Sequence, residues 1–209
     1  MKYDEQALVP MMIRLLKHDR DGAIRTWAAD ALGNADRLAD SAIPALIEAL
    51  KGPSRNTWIH AADSLAKLAE KAVPSLTDAL SHEDAPVRAG AANAFAYMGR
   101  MGKACAGNAV SLLIRNLDDP DEEARKEAAG ALGDIKNVPA EVLPALHKKA
   151  FERPELRKEL QDAIANISKN AKRPSGVREV SERPKEVGIE RMFRGMASDV
   201  RQQRAAVRF

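Results

Sequence analysis

The chain repeats itself about every 33 residues, and this limits its folding more than any other feature. An apolar–proline step opens successive segments at Val9-Pro10, Ile43-Pro44, Val73-Pro74 and Leu143-Pro144; Val110-Ser111 keeps the pattern without the proline. The intervals are 34, 30, 37 and 33 residues. Some 14 residues after each step comes a second motif, Ile24-Arg25-x-x-Ala28-Ala29-Asp30-Ala31-Leu32-Gly33 in the first copy and Val87-Arg88-x-x-Ala91-Ala92-Asn93-Ala94-Phe95-Ala96 in the third. The column headed by Arg25 continues through Trp58, Arg88, Arg125 and Arg157. A unit this short cannot bury its apolar face alone, so its neighbours must supply the core.

Each copy divides into two helices. Leu46, Ile47 and Leu50, or Leu112, Leu113, Ile114 and Leu117, recur at helical spacing in the first. The opening proline fits a first helical turn, where no amide partner is lost. Pro53, Pro86, Pro120 and Pro154 form a second proline column ahead of the second helices, and Asp84 and Asp119 are expected as their N-caps. Alanines at the third and fourth positions after the arginine column let helices approach closely. Leu32, Leu65, Phe95, Leu132 and Ile164, at the seventh, fill the layer between repeats.

These residues resemble HEAT-like repeats of the type found in phycobilisome lyases. The resemblance covers about residues 5 to 168 and implies an all-α, armadillo-like solenoid of five helix pairs. The expected repeats are 5–36, 40–69, 71–99, 107–136 and 139–168. It further implies a right-handed stack whose second helices line a concave face. A phycobilin-lyase-like enzyme, or an accessory to one, is a functional alternative that rests on this resemblance alone.

Composition agrees with helices. Alanine accounts for 38 residues and aromatics for only 4%, which argues against sandwiches and barrels built from aromatic and β-branched strands. No apolar run approaches the roughly 20 residues needed to span a bilayer. The residues after Met1 lead into no signal-peptide core, so a cytoplasmic protein is expected. A single cysteine excludes an internal disulfide framework. Charge is uneven: residues 168–209 hold 11 Lys and Arg against 5 Asp and Glu, while the body holds 22 against 25.

Candidate chemistry is sparse. Arg25, Arg88, Arg125 and Arg157 are read as structural ties between turns and repeats, with an indole replacing the guanidinium at Trp58. His18, His60, His82 and His147 fall at unrelated repeat positions, so no metal site is expected, and no catalytic set or cofactor is expected either. Cys105 is read as a loop cysteine, although flanking Lys103 and Arg100 favour its thiolate. Solvent-facing positions of the second helices lie two, five and nine residues after the arginine column. They include Trp27, Asp30, His60, Asp63, Asn93 and Tyr97, an acidic face with aromatics on which a basic peptide or protein would bind. Residues 169–186 read as a charged linker containing proline, and 187–209 as a basic amphipathic helix carrying Arg191, Phe193, Arg194, Arg201 and Arg204. Three roles stay open for that tail: capping the last repeat, self-association through the acidic groove, or contact with nucleic acid or another anionic surface. The expected function is non-catalytic protein–protein binding, as an adaptor or scaffold.

Overall fold

The computed structural model describes residues 5–136 and 138–171. The tail residues Arg191, Phe193, Arg194, Arg201 and Arg204, and all but the first residues of the expected linker, lie outside the described residues. Those described form ten α-helices and no strand. The helices are α1 (Glu5–His18), α2 (Gly22–Leu32), α3 (Ala39–Ala49), α4 (Arg55–Leu68), α5 (Val73–Ala79), α6 (Ala85–Arg100), α7 (Val110–Asn116), α8 (Glu122–Asp134), α9 (Leu143–Glu152) and α10 (Arg157–Ala171). They make five pairs in the expected order, an all-α solenoid.

Local chemistry sets the helix ends. Asp21 caps α2 by accepting from the Ala23 N–H at 2.8 Å, and Ser54 caps α4 by accepting from the Thr57 N–H at 3.3 Å. The α8 cap is Asp121, which accepts from Ala124 at 2.9 Å, and not Asp119 as expected; Asp119 is taken by an arginine of the preceding repeat. Asp84 does occupy the N-cap position of α6, but its side chain makes no capping bond. Pro74, Pro86 and Pro144 sit in first turns, whereas Pro10 and Pro44 lie inside helices that begin five residues earlier.

One continuous apolar cluster runs from Val9 to Ile167 through all five pairs. The second helices α2, α4, α6, α8 and α10 pack on one another in sequence, α6 on α8 most extensively. Their contact surface is alanine: Ala28, Ala29, Ala61, Ala62, Ala91, Ala92, Ala128 and Ala129 are fully buried. Glycines near the ends of the second helices permit this approach. A Cβ on Gly33 would fall 2.8 Å from the Ser64 Cα of the next repeat, and one on Gly99 would fall 2.6 Å from the Asp134 carbonyl oxygen.

Candidate functional site

Consecutive helix pairs present matching positions to each other, so polar side chains on the second helices meet across repeats at a regular offset. The residue two places after the arginine column faces the residue five places after it in the preceding repeat. His60 therefore reaches Asp30, its Nδ1 lying 2.9 Å from both carboxylate oxygens. Asn93 donates from Nδ2 to Glu127 at 2.6 Å in the same geometry two junctions on. Glycines interrupt the ladder twice. Gly90 gives Asp63 nothing to meet, and Asp63 takes Lys67 at 2.7 Å. Gly130 leaves Glu159 without a counterpart, and the Glu159 Oε2 is buried with no hydrogen-bond partner.

Gly90 itself departs from expectation. It is buried and does not face solvent: a Cβ there would fall 2.7 Å from a Leu50 methyl at the end of α3. Trp27 and Tyr97 are half-buried and pack against the core. Tyr97 also carries the Arg100 guanidinium over its ring at 4.4 Å, and Arg100 pairs in turn with Asp134. Five of the six predicted face residues join such links between neighbouring helices, while Trp27 packs against the core. Asp30 and His60 meet directly, and Lys67 links Asp63 with Asp30 at 2.7 and 3.9 Å. Asn93 and Tyr97 bond onward to the fourth repeat, through Glu127 and through Arg100.

The arginine column lies on the turn side. Arg25, Arg88 and Arg125 each donate from Nη1 to the carbonyls six and five residues earlier, at 2.7 to 3.2 Å. Arg88 alone also forks onto Asp119 of the next repeat, with Nε and Nη2 at 2.6 and 2.7 Å. Burial pushes the Asp119 carboxyl up, but the bonds from Arg88 and from the Asp121 N–H outweigh it and hold the group below the usual carboxylate range. Arg157 is exposed. At the second place in the column, Trp58 is buried and its Nε1 donates to the Pro86 carbonyl of the next repeat at 3.0 Å.

Burial raises two further groups. Burial raises the Glu127 carboxyl, with Glu123 adding to the shift against the bond from Asn93 and the charges of Arg55 and Arg100. Burial also raises the Cys105 thiol, helped by Glu70 and against Lys103, so the thiolate expected from the flanking cations is disfavoured. Among the described residues no three His, Cys, Asp or Glu side chains are grouped to hold a metal ion. No helix among them is long and apolar enough to cross a membrane.

Sequence reasoning missed Arg55. It lies three residues before the column, outside the face positions. It donates to Glu123 at 2.9 Å and stacks over the Trp58 ring at 4.4 Å. Its only sequence signal is a cation opening a helix just ahead of an indole.

The motifs that form this layer match known families. The family model described as HEAT repeats matches residues 43–106, and that described as PBS lyase HEAT-like repeat matches residues 24–52. Among solved structures, the complex of CpcE and CpcF of phycocyanin lyase from Nostoc sp. PCC7120 is similar at 24% identity and a TM-score of 0.51. That likeness covers 77% of this chain and 65% of the other. An archaeal HEAT-like repeats protein from Thermococcus onnurineus NA1 is similar at 15% identity and a TM-score of 0.51, over 79% of this chain and 74% of that one. A computationally designed armadillo repeat protein for modular peptide recognition aligns at 24% identity and a TM-score of 0.47, over 78% and 82%. No curated protein matches the chain. At these identities the solved structures speak for the fold alone. The family models thus place HEAT-like repeats, in part of the phycobilisome-lyase HEAT-like type, within residues 24–106, and the two structures with a TM-score of 0.51 share the helical-repeat fold.

Proposed function

We propose that the chain is a non-catalytic adaptor that binds a basic peptide or protein segment on the exposed face of its second helices, in the cytoplasm. The observation that carries this reading is the charge and order of that face. Its fifteen positions hold six carboxylates (Asp30, Asp63, Glu127, Asp134, Glu159 and Asp162) against one lysine, Lys67. Several of these groups are fixed by bonds between repeats, so the face is ordered before a partner arrives and less rotamer freedom is lost on binding. Trp27 and Tyr97 supply the aromatic surface that anchors partners elsewhere. A solenoid also offers such a face along several consecutive repeats, which suits an extended segment.

Changing Trp27 and Tyr97 to alanine in the full chain, one at a time, should weaken capture of its partner from cell extract by about 1–3 kcal/mol each. Circular dichroism should show the helices intact. Capture at wild-type strength by both variants removes the face from contention.

A further inference from the structure

Among the described residues, side-chain hydrogen bonds between repeats link residues 28 to 36 apart, one repeat's length, with a single exception: Arg55 to Glu123, 68 residues apart. That bond joins repeat two to repeat four and passes over repeat three. It is made where α6 is sunk beneath its neighbours, with Ala89 and Gly90 buried. The Glu127 carboxylate lies 3.6 Å from the same guanidinium.

The surroundings of Arg55 are those that read an arginine side chain. The Trp58 ring gives a flat platform at 4.4 Å, itself fixed by its bond to Pro86. Glu123 accepts along one edge, and Glu127 stands at the other, positioned by Asn93 at 2.6 Å. Asn93 keeps its Oδ1 buried and without a hydrogen-bond partner, an acceptor open to one more N–H. A planar guanidinium stacks flat on an indole while it forks between carboxylates; an ammonium can sit over the ring and pair with a carboxylate, but it neither stacks plane on plane nor forks. Yet Arg55 is held loosely. Its side chain is 58% exposed, and an ion pair in that setting is weak.

We propose that Arg55 is an intramolecular occupant of an arginine subsite, a strap across repeat three that an arginine of a basic partner displaces. This rests on the second-helix face being the partner surface and names a position at its edge, sharing Glu127 with it, that reads the partner. Two carboxylates and the indole remain in place while one guanidinium leaves and another enters, so the charge of the site is unchanged. A long basic segment lying along the face gains this subsite only by opening the strap.

The test uses the full chain and two labelled peptides, octa-arginine and octa-lysine, with binding followed by fluorescence anisotropy at low ionic strength. Arg55→Ala should tighten octa-arginine by about fivefold, the strength of an exposed ion pair, and should tighten octa-lysine less. The variant Lys67→Ala, which also removes one face cation, should raise both peptides equally. The double variant Glu123→Gln, Glu127→Gln should abolish the preference for octa-arginine. It is expected to fold, because it removes a carboxylate that burial already disfavours; thermal unfolding followed by circular dichroism checks this. If Arg55→Ala tightens neither peptide, or both alike, the strap is overturned while the partner face stands. If neither the wild type nor any variant binds either peptide, the basic-partner reading falls and the strap with it.

Discussion

Repeats three and five carry the same motif and end in opposite environments. In α6 the helix is buried on nearly every side: Val87, Ala89, Gly90, Ala91, Ala92, Ala94, Phe95, Ala96, Met98 and Gly99 are all covered. In α10 the corresponding column opens to water, with Arg157 and Gln161 exposed and Ile164 only partly covered. Phe151, just ahead of it, is 83% exposed. Both helices have the heptad-like apolar stripe and acceptable helix formers, so propensity does not separate them. What separates them is the number of neighbours. A motif position reports burial only where a layer lies on both sides of it, which is the one-dimensional logic of a solenoid. The fifth copy diverges at Leu160-Gln161, where the others have Ala-Ala: Leu160 is buried and Gln161 is exposed.

This comparison can be broken most sharply at the arginine column. Asp119 receives the fork from Arg88, accepts the Asp121 N–H and lends its carbonyl to Arg125. Asp119→Ala leaves a half-buried guanidinium without its carboxylate and should cost about 3 kcal/mol in urea unfolding. Arg157→Ala, the same column in repeat five, should stay within about 0.5 kcal/mol. The pH dependence carries the same signature. A carboxyl held below its unfolded value contributes stability that is complete above the unfolded pKa of about 4 and is lost as pH falls through the folded value. Asp118, held low by Lys149 and Arg153 against burial, acts in the same direction. Acid unfolding should therefore steepen below about pH 4 in the wild type and flatten in Asp119→Asn. Equal losses at Asp119 and Arg157 would mean that neighbours do not matter.

A smaller contrast lies at the helix contacts. Gly99→Ala pushes a methyl against the Asp134 backbone, which cannot yield as a side-chain tip would, and should cost about 1–3 kcal/mol. Ser168→Ala, eleven places after Arg157 as Gly99 is after Arg88, should change stability by no more than about 0.5 kcal/mol. Thermal unfolding of the two variants side by side settles the order.

Much of the fold was legible because it is written five times over. A single apolar–proline step or a lone alanine pair says little, but five in register fix the pairs, their order and the buried column. Local ends were harder to read. Asp119 and Asp121 are chemically alike as caps, and the choice between them is made by Arg88 from another repeat. Pro10 and Pro44 look like helix openers, yet the helices begin a turn and more before them. The face was legible through helical geometry alone for His60, Asp63 and Asn93. Gly90 was misplaced because its covering atom belongs to a first helix, Leu50, which second-helix periodicity does not see. Arg55 was missed because its partners lie two repeats away, beyond any nearest-neighbour pattern. The identity of the partner is not encoded in the repeat at all, since the same motif builds the same layer whatever binds to it.

Native-state hydrogen exchange along the full chain tests the central claim most directly: position in the stack, and not helix sequence, sets local stability. Amides of α6 and α8 should exchange slowest, near the rate set by global unfolding, with protection falling toward α1 and α10. Uniform protection from α1 to α10, or α10 outlasting α6, would contradict it.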